Sequence, residues 1–268
     1  MKLEQRTVLI TGGTSGIGLE LAKQLHQRNN TVIVTGRDQE KLDAVQRMLP
    51  GIHVFRSDVS NPNAIVALHN SVITQFPALD TLINNAGIMR NLNFNQDRDL
   101  NDVTREIEIN LSGPVRMIQQ FLPHLKTRNA ALIVNVSSGL AFIPLPAAAV
   151  YCATKAAIHS FTQSLRVQLD GTGVRVIELA PPAVQTPLID REWSTEMAGQ
   201  KLMDVKVLVK HAIEGIESGK PEIRPGLSNV LRTMSRIAPQ LMLNQMAKTT
   251  KPKLERPPAS KTMNAKMP

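Results

Sequence analysis

The sequence has very little cysteine and few aromatic residues. Cys152 is the only cysteine among 268 residues, which excludes an intrachain disulfide and suits a reducing compartment, so a cytoplasmic location is expected. Aromatic residues make up 3% of the chain, and Tyr151 and Trp193 are the only ones of their types. The 42% hydrophobic content is that of an ordinary globular protein, and this length suffices for a large core without disulfides.

Long hydrophobic runs are also absent. The longest stretch without a charged residue, 129–154, contains Asn135, Ser137, Pro144 and Pro146 and has the pattern of strand, loop and helix. That composition excludes a membrane-spanning helix, whose backbone must be uninterrupted and apolar. The first six residues lack the apolar segment of a signal peptide, so none is expected.

Acidic residues are nearly missing from one end of the chain. Residues 224–268 hold nine basic residues and a single acid, Glu255, so this segment carries almost all of the net charge of +9. The rest of the chain has no basic stripe with interleaved aromatic residues. A nucleic-acid partner is therefore not expected.

Short apolar runs alternate with segments of helical periodicity. The predicted strands are 7–10, 31–35, 52–55, 81–84, 131–136 and 173–179, and the predicted helices are 16–28, 39–49, 61–76, 97–126 and 147–169. This alternation predicts an α/β fold with a doubly wound parallel sheet of the Rossmann type, three layers (α/β/α) in a single domain. The catalytic domain is expected to cover 1–225.

A glycine-rich loop connects the first strand to the first helix, in the order Thr11-Gly12-Gly13-Thr14-Ser15-Gly16-Ile17-Gly18. Glycines let a backbone approach a phosphate closely, and a helix N-terminus offers free N–H groups to it. In this strand–loop–helix context the loop predicts a dinucleotide site. The residues expected to contact the cofactor there are Gly12, Thr14, Ser15, Gly16, Ile17 and Gly18.

The end of the second strand indicates which cofactor is used. An acid there would bind the ribose 2′-hydroxyl of NAD, but Gly36 takes its place and Arg37 follows. A guanidinium can bind a 2′-phosphate through paired hydrogen bonds. NADP(H) is therefore expected to be preferred, with NAD(H) still possible. Asp38 is expected to cap the next helix.

Tyr151 and Lys155 stand four residues apart in a helical segment, so they share one face. A nearby ammonium group favours a phenolate, so the Tyr151 pKa is expected to be lowered. Such a pair can exchange a proton with an alcohol or carbonyl. Val136-Ser137-Ser138 ends the preceding strand and can supply a hydroxyl to a carbonyl oxygen.

Taken together, these motifs resemble those of the short-chain dehydrogenase/reductase family over residues 5–225. The matching motifs are Thr11 to Gly18, Asp58-Val59, Asn84 to Gly87, Asn110, Ser138, and Tyr151 with Lys155. The resemblance implies an NAD(P)-dependent oxidoreductase that acts on a carbonyl or secondary alcohol. A cofactor-binding sensor or scaffold without chemistry is the alternative, and an epimerase or dehydratase acting on nucleotide sugars is disfavoured.

The resemblance also implies residue roles. Tyr151 would be the general acid/base, Ser138 would polarise the carbonyl, and Lys155 would hold the nicotinamide ribose. Asn110 would hold a water in a proton relay to Lys155, unless it is simply a helix residue. Asp58 would contact the adenine, with Val59 beside it, and Asn85, Ala86 and Gly87 would line the cofactor groove.

The sequence departs from the family after the sixth strand, where Pro181-Pro182 replaces the usual Pro-Gly. One subgroup of the family has a similar loop. Proline lacks an N–H and has a fixed φ, so the loop is expected to follow a different path. Pro181, Val184 and Thr186 are still expected near the nicotinamide carboxamide.

Apolar residues predict a substrate pocket and a lid over it. The candidates are the loop Leu140–Ala149 and a lid at about 186–200 that includes Pro187, Leu188, Ile189, Glu192, Trp193 and Met197. The expected substrate is a small-molecule carbonyl or alcohol. Alternatively, these side chains pack only against one another. No metal site is expected, because the six histidines show no ligand spacing.

The C-terminal segment is expected to form a helix over 226–247 and a disordered basic tail over 248–268. The helix carries apolar residues on one face and Arg232 and Arg236 opposite. It suits either packing against the body of the protein or, less readily, contact with an anionic membrane surface. Family resemblance suggests a homodimer or homotetramer built on the helices around Asn110–Lys126 and Tyr151–Leu169.

Overall fold

A computed structural model describes residues 1–193 and 202–254 of the chain. Its centre is a seven-stranded sheet in which every neighbouring pair of strands is parallel. The strands are β1 (Thr7–Thr11), β2 (Thr31–Gly36), β3 (His53–Arg56), β4 (Leu79–Asn84), β5 (Ala131–Val136), β6 (Val174–Leu179) and β7 (Glu222–Ile223). Their spatial order is β3-β2-β1-β4-β5-β6-β7, so the order reverses between β1 and β4. The doubly wound sheet is thereby confirmed.

Helices cover both faces of this sheet. They are α1 (Gly16–His26), α2 (Gln39–Met48), α3 (Pro62–Gln75), α4 (Leu100–Val103), α5 (Arg105–Ile107), α6 (Gly113–Leu125), α7 (Ala149–Gln168), α8 (Pro187–Glu192), α9 (Val205–Glu217), α10 (Leu227–Ile237) and α11 (Pro239–Leu254). One apolar core lies between the sheet and α1, α2 and α9, and a second lies between the sheet and α3, α6 and α7. The predicted three layers are confirmed.

The strands at the middle of the sheet are mainly apolar because both faces are covered. All six residues of β5 are buried, including Asn135, its second-last residue. The Asn84 side-chain amide donates to Asn135 Oδ1 at 2.9 Å, and that of Asn135 donates to Thr162 Oγ1, also at 2.9 Å. These amides join β4, β5 and α7 just below the edge where the site lies.

The helix starts follow the predicted local rules. The Asp38 side chain accepts a hydrogen bond from the Lys41 N–H, which confirms it as the cap of α2. Asn61 caps α3 in the same way, with Pro62 in the first turn.

The long helix expected over 97–126 is broken into pieces. α4 and α5 are short, a π-helical turn occupies Glu108–Ser112, and only α6 is a regular helix. Pro114 explains part of this, because it has no N–H to donate to the Asn110 carbonyl four residues earlier. π turns occur often at functional sites, and Asn110 lies within this one.

The C-terminal prediction needs two corrections. The expected helix over 226–247 is two helices, α10 and α11, that break at Ala238-Pro239. Residues 248–254, assigned to a disordered tail, belong to α11, and the remainder of the predicted tail lies outside the described residues. The strand β7 was not anticipated, because two residues of strand leave almost no pattern. The helix α9 was also not anticipated, although its apolar residues recur at helical spacing. None of the helices described here is long and apolar enough to cross a membrane.

Candidate active site

The predicted site residues gather at the carboxyl edge of the sheet. The loops after β1, β2, β4, β5 and β6 all emerge there, and the reversal of strand order between β1 and β4 opens a crevice between them. The glycine loop follows β1, Arg37 follows β2, Asn85 to Gly87 follow β4, and Ser138 follows β5. Residues far apart in sequence therefore meet in one groove.

The path of the glycine loop depends on its glycines, most clearly on Gly12 and Gly18. Gly12 has a φ of +66°, and a Cβ there would lie 2.8 Å from the Ala86 Cα. A Cβ on Gly18 would lie 2.5 Å from the Gly12 carbonyl oxygen. The loop is thus folded back on itself and pressed against the segment after β4.

Asn85 holds this loop in place. Its side-chain amide donates to the carbonyl oxygens of Thr11 and Gly12 at 3.0 and 3.1 Å. The Thr11 hydroxyl oxygen accepts from the backbone N–H groups of Asn85 and Ala86 at 3.0 and 3.1 Å. Asn85 therefore shapes the groove from behind, and Thr11, which the sequence prediction left out of the contact set, is its partner.

The residues present fit a dinucleotide diphosphate. Ser15 precedes α1 without capping it, and no acidic residue stands in the first turn, so the helix N-terminus keeps free N–H groups and its positive dipole end. A Cβ on Gly16 would lie 3.3 Å from the Thr186 Cγ2, so the loop after β6 faces the glycine loop directly. Thr186 therefore borders the N-terminus of α1.

The end of β2 is crowded in a way that bears on cofactor choice. A Cβ on Gly36 would lie 2.8 Å from the Thr14 Cγ2, so an acidic side chain at this position would displace Thr14. Arg37 is half exposed, and its guanidinium lies 3.9 Å from an Asp58 carboxylate oxygen. Asp58 also accepts hydrogen bonds from the N–H and hydroxyl of Ser60. Val59 beside it is buried against Gly113.

Tyr151 and Ser138 come together at the other end of the groove. Tyr151 is buried on α7, and burial raises the pKa of its phenol above the usual 10, while a hydrogen bond with Ser138 opposes the shift. The expected lowering of the Tyr151 pKa is therefore not found, because loss of solvent dominates and the Ser138 hydrogen bond opposes it only in part. The Leu140 N–H donates to Ser138 Oγ at 3.1 Å, which leaves the serine hydroxyl proton free to be donated.

Lys155 lies one turn after Tyr151 on the same face of α7. Its Nζ donates to the Val136 carbonyl oxygen at 2.9 Å and lies 5.6 Å from the centre of the Tyr151 ring. Burial lowers the pKa of Lys155 to about 8, and the negative charge of Glu178 opposes the shift. A Cβ on Gly87 would lie 3.6 Å from the Lys155 Nζ, so the lysine borders the groove after β4.

Asn110 is tied to the backbone of the same groove. Its Oδ1 accepts from the Ile88 N–H and its Nδ2 donates to the Ile88 carbonyl, both at 2.9 Å. The Nδ2 also contacts Thr154 Oγ1 at 3.2 Å. The side chain is thus engaged on both ends, and the Asn110 carbonyl loses its usual helical donor because residue 114 is proline.

Comparison with known proteins agrees with this geometry. A family model described as short chain dehydrogenase matches residues 6–197. The chain is 40% identical over 247 residues to an uncharacterized oxidoreductase, DltE, of Bacillus subtilis, and the match covers 92% of this chain and 98% of that one. It is 33% identical to an uncharacterized oxidoreductase of Staphylococcus epidermidis, over 84% of this chain and 99% of the other.

The chain belongs to the short chain dehydrogenase family. A solved short chain dehydrogenase of Burkholderia cenocepacia in complex with NADP is 25% identical, with a TM-score of 0.78 over 96% of this chain and 100% of that one. A Sphingobium yanoikuyae short-chain dehydrogenase in complex with NADPH is also 25% identical, with a TM-score of 0.77 over 96% and 99%. Family membership confirms the predicted enzyme class, an oxidoreductase that uses a nicotinamide cofactor.

In this short chain dehydrogenase the Pro181-Pro182 loop is tied to neighbouring elements. The Gly139 N–H donates to the Pro181 carbonyl at 2.7 Å, which joins the ends of β5 and β6. Val184 forms a β-bridge with Met203, so this loop is paired with the segment before α9. Thr186 stands at the start of α8 and faces the glycine loop.

The predicted lid is packed over Tyr151. Ile189 and Trp193 are buried in an apolar cluster with Tyr151 and with Met89, and the Trp193 indole N–H donates to the Met89 carbonyl at 3.5 Å. Met246 on α11 packs against the same cluster, so the C-terminal helix also covers the site. These side chains therefore pack on one another and on the tyrosine. Met197 and the rest of the lid from 194 to 200 lie outside the described residues.

Two polar residues of this region were missed by the sequence prediction. Glu178 on β6 is buried, its carboxylate accepts from the Ser137 hydroxyl, and its other oxygen lies 2.7 Å from His159 Nδ1. The signal that could have found Glu178 is an acidic residue within the buried run Val176–Leu179 of a strand. The structure also separates the two serines, because Ser138 contacts Tyr151 whereas Ser137 contacts Glu178.

Proposed function

We propose that this short-chain dehydrogenase transfers a hydride between NADP(H) and a small-molecule carbonyl or secondary alcohol, with Tyr151 as the general acid/base. The observation that carries the proposal is the placement of Tyr151, Ser138 and Lys155 together beside the groove after β4. A scaffold protein that only bound the cofactor would have no need of this buried set.

In the reducing direction, the nicotinamide supplies the hydride to the carbonyl carbon when the cofactor is bound. Tyr151 donates its proton to the carbonyl oxygen, and the Ser138 hydroxyl donates a hydrogen bond to that same oxygen. Burial keeps the phenol protonated at neutral pH, which suits a proton donor. The Lys155 ammonium stabilises the phenolate that remains and is placed to hold the nicotinamide ribose. The phenolate then regains a proton by way of Lys155, and Asn110 is proposed to support a water that supplies Lys155 with the proton it passes on.

The remaining cofactor contacts follow the groove. The N–H groups at the start of α1 and the loop Gly12 to Gly18 would hold the diphosphate, and Asp58 and Val59 would border the adenine. Ala86 and Gly87 would line the groove, while Pro181, Val184 and Thr186 would border the carboxamide. Homodimeric or homotetrameric assembly and a cytoplasmic location remain predictions.

Tyr151→Phe tests the chemistry. It removes the proton donor and keeps the ring, so kcat for carbonyl reduction should fall by about 10²- to 10⁴-fold. NADPH binding, followed through the fluorescence of Trp193, should stay unchanged. Phe161→Tyr, which adds a hydroxyl on the same helix away from Ser138, is the control and should keep full activity. Equal turnover by Tyr151→Phe and the wild type would disprove the assignment of Tyr151.

Arg37→Ala tests the cofactor preference. Loss of the guanidinium should weaken NADPH binding by at least about tenfold, because a charge-assisted contact to the 2′-phosphate is lost, and should leave NADH binding unchanged. Arg47→Ala, an exposed arginine on α2, is the matched control. If the wild type binds NADPH and NADH equally, and Arg37→Ala does the same, the preference for NADP(H) is wrong.

A further inference from the structure

Four polar side chains line one face of α7 at intervals of four residues: Tyr151, Lys155, His159 and Gln163. The first two form the catalytic pair. His159 Nδ1 lies 2.7 Å from a carboxylate oxygen of Glu178, and Gln163 Nε2 donates to Glu222 Oε1 at 3.1 Å. The line of catalytic residues therefore continues into a second polar cluster along the same helix.

Glu178 is the centre of that cluster and lies directly behind the catalytic residues. It is 1% exposed, and it pairs in register with Asn135, one residue before Val136, whose carbonyl binds Lys155. One of its oxygens accepts from the Ser137 hydroxyl and the other faces His159. A buried carboxylate with two engaged oxygens costs much desolvation energy unless it balances a positive charge nearby.

Lys155 is the buried cation that this carboxylate can balance. It is 5% exposed and stands one helical turn before His159 on the face of α7 that lies against β5 and β6. Its hydrogen bond to the Val136 carbonyl leaves its charge uncompensated by a direct ion pair among the residues the structure describes. Burial lowers the Lys155 pKa and the Glu178 charge opposes that shift.

The other charged groups at this cluster are already engaged with one another. Glu222 on β7 accepts from Arg224, which follows that strand, and from Arg232 on α10. The His159 ring makes an edge-to-face contact with the Phe142 ring, with 5.0 Å between the ring centres, and the Arg232 guanidinium lies over the Phe142 ring, 5.8 Å from its centre. His159, Glu178 and Glu222 come close enough to bind a metal, but these partners occupy their ligand atoms.

We propose that Glu178 is a positioning residue for the reaction: a buried counter-charge that keeps Lys155 in its ammonium form and holds Ser137 beneath the catalytic Ser138. Only the expected effect on turnover rests on the proposed function; the effect on the charge of Lys155 does not. Glu178 touches neither substrate nor cofactor, so it acts through Lys155 and the turn at 137–139.

Glu178→Gln is the direct test, because the amide keeps the shape and an acceptor for Ser137 but removes the charge. The ¹³Cε resonance of Lys155, identified by its absence in Lys155→Met, should titrate at a pH lower by about one unit in Glu178→Gln than in the wild type. Glu178→Asp keeps the charge and should restore the wild-type titration. Glu222→Gln makes the same change in the outer half of the cluster and should leave the Lys155 titration unmoved.

Turnover gives the second readout. If the protein reduces carbonyls, the pH profile of kcat in Glu178→Gln should shift in the same direction and by a similar amount, while Glu222→Gln keeps the wild-type profile. The NMR titration needs no turnover, so a failure of the proposed function would leave it readable. An unshifted Lys155 titration in folded Glu178→Gln, or equal shifts in both glutamine variants, would overturn the proposal.

If Glu178→Gln does not fold, the double variant with Lys155→Met decides the question. Removing both charges should restore folding, because the ammonium left without its counter-charge is then gone. A double variant that is no more stable than Glu178→Gln alone would show that the two charges are not coupled, and the proposal would fall.

Discussion

The glycine loop and the proposed catalytic face of α7 lie at opposite ends of one groove, but they are built differently. The loop consists of consecutive residues between β1 and α1, and its shape depends on backbone conformation and close approach. The catalytic face depends on residues from β5, β6, α7 and the C-terminal helices that meet only in the folded chain. The first region is sensitive to the size of single side chains, and the second to buried charge.

This difference follows from the forces in each region. At Gly12 the constraints are steric and local, with Ala86 and the positive φ excluding a side chain. At Lys155 the constraint is electrostatic, since the ammonium has left water and depends on the Val136 carbonyl and on Glu178. Substitutions in the two regions should therefore fail in different ways.

The largest effect is expected at the glycine loop. Gly12→Ala should lower the free energy of unfolding by about 3 kcal/mol and weaken NADPH binding by about 100-fold, because the backbone must move away from Ala86. Gly171→Ala is the control, since Gly171 also has a positive φ, +75°, but no atom lies within 4 Å of its Cβ position. It should cost about 1 kcal/mol in urea unfolding and leave binding unchanged. If Gly12→Ala and Gly171→Ala lose the same stability, the close approach of Gly12 to Ala86 contributes nothing.

A smaller effect is expected from the buried charge. The pKa of Lys155 in the folded protein, about 8, is below its ordinary 10.5, so the unfolded chain holds the proton more strongly above pH 8. Stability from this group therefore rises with pH, by about 1 kcal/mol between pH 7 and 9. Lys155→Met should lack that rise when the two proteins are compared by urea unfolding. If the free energies of unfolding of the wild type and of Lys155→Met rise equally with pH, Lys155 does not have the lowered pKa that burial gives it.

The smallest effect is expected where α10 covers the turn after Ser138. Ser228 is fully buried, and its hydroxyl has no hydrogen-bond partner within the described part of the chain. Ser228→Ala should leave stability unchanged or raise it by up to about 1 kcal/mol, because an unsatisfied polar group is removed. Ser235→Ala, on the same helix, removes a bond to the Arg232 carbonyl and should be slightly destabilising. A clear loss in Ser228→Ala would reveal a partner for this hydroxyl.

Much of the fold was predictable because its signals are short-range. Continuous apolar runs predicted six of the seven strands, and helical periodicity predicted the helices between them. The strand β7 was not predicted, because it has only two residues. Pro114 was visible in the sequence but was not used, so α4, α5, the π-helical turn and α6 were predicted as one helix over 97–126. The site was predictable as far as it follows ordered motifs, which the family membership explains.

What the sequence by itself determined is the parallel α/β layout, the glycine loop and the pairing of Tyr151 with Lys155. Each depends on spacing along the chain or on the conformational freedom of glycine. Only the tertiary structure decided that Ser137 binds Glu178, that burial raises the tyrosine pKa, and that Glu178 lies behind Lys155. These depend on desolvation and on contacts between distant segments, which a pattern of neighbouring residues does not contain.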